Sequence, residues 1–221
     1  MTGGGAADTA WTERAATRSP SVQRSRVRSV EQARQIVDAA RRLVEAGDEP
    51  FTTQQLIREA GVALQTFYRY FGGKDELLLA LLEEIIAAGC ADLRDRAAEV
   101  SDPLDRLRLY VTGAVESLGS AQLGPSRFVT SEHYRLHQLF PDELDAATRP
   151  FVDLLRPEIE AAAGAGLLRP ADVDHDAWFI CQLSMSTFHH FAFVTPTDPI
   201  EVVAERLWQF CLRALGHPDP A

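Results

Sequence analysis

The chain has 221 residues, 46% of them hydrophobic, and a formal net charge of −10. That apolar content suffices for a core without staples, and the wide spacing of the three cysteines, Cys90, Cys181 and Cys211, excludes a disulfide framework and any paired metal or redox motif. The acidic total argues against nucleic acid, yet the charge is uneven: residues 1–75 hold 11 Lys+Arg and 9 Asp+Glu, a net +2, leaving 11 against 23, a net −12, for the rest. A mildly basic end on an acidic body is the asymmetry expected when one end meets phosphates. Free thiols and the lack of an apolar leader predict a cytoplasmic protein. Glu83 and Glu84 interrupt the longest apolar run, so no membrane partner is expected.

In chain order, residues 1–28 read as a disordered arm. Its glycines and small polar residues bury too little to offset ordering entropy. Arg18, Arg24, Arg26 and Arg28 fall in it with no acidic residue between Arg18 and Glu31. Such an arm either tracks phosphates or is a solvated tail. A first helix is predicted from Ser29, because Ser29 and Gln32 have capping-box spacing. Ile36, Ala39, Ala40 and Leu43 then recur as one apolar stripe. Gly47 and Pro50 end it, and Phe51 is placed to plug a small core. Thr52 and Gln55 repeat the cap spacing for a second helix starting at Thr52 or Thr53, with Leu56, Ile57 and Ala60 inward. Gly61 supplies a turn that needs a left-handed or crowded position. A third helix over 64–71 turns Phe67 and Phe71 inward and leaves Leu64, Gln65 and Tyr68 outward. A fourth, from Lys74, carries Leu77, Leu78, Leu81, Ile85 and Ile86.

Two short helices joined by a glycine turn, the second with large side chains outward, form a helix-turn-helix plan. Thr53, Leu56, Ala60, Gly61, Val62, Thr66, Tyr68, Tyr70, Phe71, Lys74 and Leu77 together resemble the TetR family of bacterial transcriptional regulators. The resemblance implies an all-α fold. A helix-turn-helix DNA-binding domain would span 29–75, and a helical effector-binding and dimerisation domain would span 76–221. It also implies that Thr53, Gln54, Leu64, Gln65, Tyr68, Tyr70 and Lys74 meet DNA, and Thr66 joins that candidate set. By residue type, Thr53, Tyr68, Tyr70 and Lys74 suit phosphate oxygens. Gln65 suits an adenine edge and Leu64 a thymine methyl. Tyr70 is the member most readily explained by packing. Ala63 departs from the family, which places a hydroxyl there as helix cap; its loss costs about 1 kcal/mol.

The acidic half reads as helix throughout. Leu104, Leu107, Val111, Ala114, Val115 and Leu118 form a stripe after Pro103, broken over 119–125. Further helices are expected over 127–139, 141–164, 175–194 and 198–215. In the family the last two helices pair with their counterparts in a homodimer, and Ser184, Ser186 and Thr187, beside Ile180 and Phe191, would allow close approach. Tyr110, Phe128, Tyr134, Trp178, Met185 and Phe188 are candidate pocket walls. His133, His137, Gln182 and His189 are candidate polar contacts. Their aromatic bias favours an apolar effector. Each also fits an ordinary core or surface position.

Competing classes find little support. His133 and His137 have the i, i+4 spacing of metal ligands, which would suit an all-helical metal-dependent enzyme. However, there is no H-E-x-x-H, no nucleophile elbow and no phosphate-cradling glycine loop. No catalytic residue, metal or cofactor is therefore assigned. A helical adaptor that contacts protein is the third reading. The favoured expectation is a ligand-responsive repressor that binds a palindromic operator as a homodimer and is released by a small apolar effector.

Overall fold

A computed structural model describes residues 20–47, 50–120 and 123–217. Among these residues every regular element is a helix: α1 (Pro20–Glu45), α2 (Thr53–Ala60), α3 (Leu64–Tyr70), α4 (Lys74–Ala97), α5 (Pro103–Ser120), α6 (Leu123–Leu139), α7 (Pro141–Gly164), α8 (Val173–Phe193) and α9 (Ile200–Ala214).

Two boundaries differ from expectation, each for a physical reason. Residues 1–19 of the expected arm lie outside the described residues, but residues 20–28 are the first turns of α1. Pro20 is the first described residue of α1, and no glycine or proline follows before Gly47. The Ser29/Gln32 spacing therefore falls inside a helix and caps nothing. The same spacing at Thr52/Gln55 is a true capping box, because Thr52 follows Pro50 and Phe51 and is extended. A cap signal requires a chain break ahead of it.

The second concerns the extent of the break over 119–125: α5 ends at Ser120 and α6 begins at Leu123, with residues 121 and 122 outside the described residues. Gly119 lies inside α5, and Pro125 lies in the first turn of α6, where proline lacks no intrahelical partner. Gly119 is there for proximity: a Cβ on it would come within 2.7 Å of Ile200 Cγ2. Its bareness lets the start of α9 lie close against α5, the helix with which α9 has its most extensive packing.

The buried apolar residues form two clusters. One joins Ile36, Ala39 and Leu43 of α1 with Phe51, Leu56, Phe67, Phe71 and Leu77–Leu82 of α4, and continues into Phe128, Leu136 and Leu144. The other lies among α4, α5, α7, α8 and α9, around Leu107, Val111, Leu155, Ile159 and Trp208. Helix α4 serves both, with Leu77 and Leu81 in the first and Cys90, Leu93 and Ala97 in the second. Ile86 and Phe188 touch both clusters. A division at residue 75 thus cuts a helix that both cores share. A half-buried ion pair ties the second unit: Arg106 Nε donates to Glu158 Oε2 at 2.8 Å, and its Nη1 donates to the carbonyl of Val100 at 2.8 Å.

Candidate nucleic-acid interface and internal cavity

Helices α2 and α3 are oriented by their ends and by one inward ring. Thr52 and Gln55 cap α2 reciprocally. Gly61 closes it at φ 64°, in the left-handed region that favours glycine. Ala63 begins α3 with no side-chain cap bond, as its methyl requires. Phe67 is fully buried and Phe71 nearly so. Anchoring these two rings on one side of a short helix forces the intervening positions outward. Leu64 is 46% exposed and Tyr68 56% exposed, beside exposed Gln65 and Arg69. A large apolar and a large amphipathic side chain are thus held largely in solvent on a seven-residue helix, with the Tyr68 ring edge-on to that of Phe67 at 5.1 Å.

The other candidates divide. Gln54 is exposed, and Thr53 and Thr66 are half-buried. Tyr70 is a brace: its hydroxyl donates to Gln32 Oε1 at 2.8 Å, and Arg69 Nη2 donates to the same oxygen at 2.8 Å. The Arg69 guanidinium also lies 4.8 Å over the Tyr70 ring. Lys74 Nζ donates to the Phe51 carbonyl at 2.7 Å and sits 4.4 Å over the Phe51 ring. One of its three N–H groups thus holds the start of α4 against the helix-turn-helix. Helix α1 adds further ties, Gln35 Nε2 to the Ala60 carbonyl and Arg42 to Glu59. Its first turns present exposed Arg24, Arg26 and Arg28.

Beneath this head, α4, α5, α7 and α8 line a cavity of about 220 Å³ that opens to solvent, with Gly89, Asp92 and Ser117 exposed. Ile85, Ile86, Leu93, Phe151, Met185 and Phe188 make its walls apolar, and Gly89, Cys90, Gly113, Ala114 and Val129 complete them. Its polar lining is Asp92, Arg96, Ser117 and Ser184. Burial pushes the Cys90 thiol up to about 11, so it stays protonated and behaves as wall.

Of the residues expected at a pocket, Met185 and Phe188 line this cavity. The rest lie elsewhere. Tyr110 is buried in the second core and Phe128 in the first. Trp178 and Gln182 face outward from α8, and His137 is exposed. The aromatic side chains of a helical chain are spent on whichever face packs, and periodicity does not tell a void from a filled core. The residues that sequence reading missed come mainly from α4 and α5. Their one signal was Gly89 and Gly113; a Cβ on Gly113 would come within 2.6 Å of Leu93 Cδ2, so its bareness lets α5 lie close to α4.

His133, Tyr134 and His189 instead gather beside the cavity. His133 and His189 rings lie 4.8 Å apart, with exposed Tyr134 5.3 Å from His189. Thr130 Oγ1 donates to the Ser126 carbonyl at 2.9 Å, so it accepts from His189 Nδ1–H at 3.0 Å. That leaves His189 Nε2 a bare, buried acceptor without a partner, and His133 Nδ1 is likewise buried without one. Burial, then the neighbouring His133, drives the His189 imidazole down to about 4. Burial and then His137 lower that of His133. His133 and His137 stack 6.2 Å apart. Among the described residues, no group of three or more His, Cys, Asp or Glu could hold a metal ion, so their ligand spacing finds no completing partner.

The outward faces of α8 and α9 carry Trp178, Phe179, Phe193, Val202 and Phe210, with Phe179 59% and Phe210 56% exposed. Ile180 and Ser184, expected on a dimer face, are buried within the subunit instead. The helix presents the neighbouring positions outward. Among the described residues, no helix is long and apolar enough to cross a membrane.

Comparison with known proteins agrees with this geometry. The model for bacterial regulatory proteins of the tetR family matches residues 36–81. The chain is 33% identical over 79 residues to the transcriptional regulator BetI of Brucella canis, a match covering 35% of this chain and 40% of BetI. It thus spans well under half the length of those relatives. It is 26% identical over 186 residues to the regulator HbdR of Aromatoleum sp. (strain CIB), covering 80% of this chain and 78% of HbdR. The crystal structure of the regulator FadR from Bacillus subtilis in complex with stearoyl-CoA shares the fold, with a TM-score of 0.65 at 16% identity over 81% of this chain and 97% of FadR.

Proposed function

The chain belongs to the tetR family of bacterial regulatory proteins, and from that premise we propose that it is a ligand-responsive repressor, binding a palindromic operator as a homodimer. The observation that carries the reading is the outward pair Leu64 and Tyr68, fixed by the buried Phe67 between them. Helix α3 enters the major groove. Gln65 and Leu64 read base edges, while Tyr68, Thr53, Thr66 and Gln54 contact the backbone. Tyr70 and Lys74 act mainly by holding α3 and α4 in register, with Lys74's remaining N–H groups free to meet phosphate. Arg28 and Arg24 lie one and two turns upstream of Gln32 on its face of α1 and add phosphate contacts.

The apolar faces of α8 and α9 pair with their two-fold mates. This sets two copies of α3 about 34 Å apart, one DNA turn. The effector enters the cavity between α4 and α8. Two elements link that cavity to the DNA end. Helix α4 forms its wall and then continues to Lys74. Helix α6 contributes Val129 to the wall, and its Arg135 donates to Asp75 Oδ1 at 2.8 Å in the first turn of α4. An effector that fits the cavity better when α4 is tilted shifts the dimer toward a spacing that no longer matches the operator.

The test is an anisotropy titration against the DNA flanking the protein's own gene, at two salt concentrations. Tight binding to a palindrome that weakens steeply with salt is expected, because phosphate contacts release counterions. No specific binding there, nor to any fragment in a genome-wide selection, would overturn the reading.

A further inference from the structure

The cavity wall contains one polar group that the fold leaves unused. Ser184 is 1% exposed, lines the cavity from α8, and its Oγ has no hydrogen-bond partner. Other hydroxyls on these helices return to the backbone: Thr187 Oγ1 donates to the Leu183 carbonyl at 2.8 Å, and Thr130 Oγ1 to the Ser126 carbonyl. A buried hydroxyl left unpaired costs stability that an alanine there would not. Its presence in an otherwise apolar wall is accounted for by a ligand that completes it.

The charge around the cavity restricts that ligand further. Arg96 is the sole cation among the lining residues, and it stands 3.6 Å from Asp92. The surrounding residues 76–221 carry a net −12. A ligand bearing phosphates or a carboxylate would find no uncompensated positive group at the cavity and a repelling field around it. Size sets the third limit. A dry cavity of roughly 150 Å³ admits benzene, so one of about 220 Å³ buries roughly nine heavy atoms of a ligand by the same proportion.

Resting on the reading of this cavity as the effector site, we propose that it takes an uncharged, mainly hydrocarbon ligand of that size, whose single oxygen hydrogen-bonds to Ser184. An acyl-coenzyme A, with its cluster of phosphates, is the contrasting class.

The experiment compares three probes of matched skeleton by calorimetric titration of the full-length protein: propylbenzene, propiophenone and 3-phenylpropanoate. Propiophenone should bind about fivefold to tenfold more tightly than propylbenzene, the yield of one neutral hydrogen bond. The anion should bind most weakly, and decanoyl-CoA should not compete. In Ser184→Ala the preference for the ketone should vanish while propylbenzene binds as before. In Ser184→Cys, a weaker donor of similar size, part of it should remain. An undiminished ketone preference in both variants overturns the proposal. So does tightest binding by the anion or by decanoyl-CoA, or no binding of propiophenone at millimolar concentration. Operator affinity measured with and without propiophenone separates the two claims. Ser184-dependent binding that leaves DNA affinity unchanged removes the effector role and keeps the ligand class.

Discussion

The two ends of this molecule carry their candidate sites in opposite ways. At the α1–α3 end the site is a convex surface. Leu64, Gln65 and Tyr68 point outward because Phe67 and Phe71 point inward, all within one short segment. In the α5–α9 body the site is a void, assembled from residues as distant as Ile85, Ala114, Phe151 and Met185. A surface site is encoded by local periodicity and caps. A cavity is encoded by which side chains fail to fill a space, and that depends on every helix around it.

The contrast can be broken most sharply at Phe67. Phe67→Ala removes a fully buried ring and should cost about 3–5 kcal/mol. Circular dichroism melts should show the loss, and DNA binding should disappear. Ligand binding to the cavity should persist in the cold if the ends are separable; its loss would mean that the shared helix α4 makes them one cooperative unit.

Next in size is the outward face itself. Gln65→Ala with Tyr68→Ala removes a base contact and a backbone contact and should weaken operator binding about a hundredfold, near 2.7 kcal/mol. The melting temperature should hardly move, because both residues are exposed. A large fall in stability instead would mean that these side chains are structural, and the surface site would have to be redrawn.

The body should answer to pH where the head does not. The His189 imidazole is neutral in the fold, held down to about 4 chiefly by burial, and its ordinary value is near 6.5. Below 6.5 the unfolded chain binds a proton that the folded one excludes. Stability from this group is therefore fully present above pH 6.5 and is lost as pH falls, levelling off near 4. The slope is at most about 1.4 kcal/mol per pH unit. Urea midpoints between pH 6.5 and 5, above the carboxylate range, should fall in the native protein and stay flatter in His189→Gln.

The smallest effect tests the local code. Ala63→Ser restores a hydroxyl at the extended cap position of α3 and should add about 1 kcal/mol. A higher melting temperature with unchanged operator affinity is expected. No gain would mean that the cap geometry, rather than the missing oxygen, limits α3.

Much of the head was legible because its signals are short-range. The Thr52/Gln55 cap, the turn at Gly61 and the Phe67/Phe71 pair each depend on residues a few positions apart. Where local reading failed, at Ser29, the pattern was present but the chain ahead of it continued as helix. The body was legible only as helices. The break over 119–125 was legible to within a residue or two, since α5 ends at Ser120, but that Gly119 also makes room for Ile200 was not. Ser184 looked like part of a dimer face, since a small residue beside Ile180 suits close helix contact. It lies instead against the cavity.

Composition, periodicity and caps by themselves determined an all-helical chain with an N-terminal helix-turn-helix and its outward side chains, because those depend on backbone preferences and on which face of one helix is apolar. Tertiary structure alone decided which of the many aromatic and histidine side chains fill space and which surround it. It also decided that Ser184 is left unpaired, and that α4 and α6 run from the cavity to the first turn beside Lys74. Packing vacancies and unpaired hydroxyls are properties of several helices at once, and no single stretch of residues contains them.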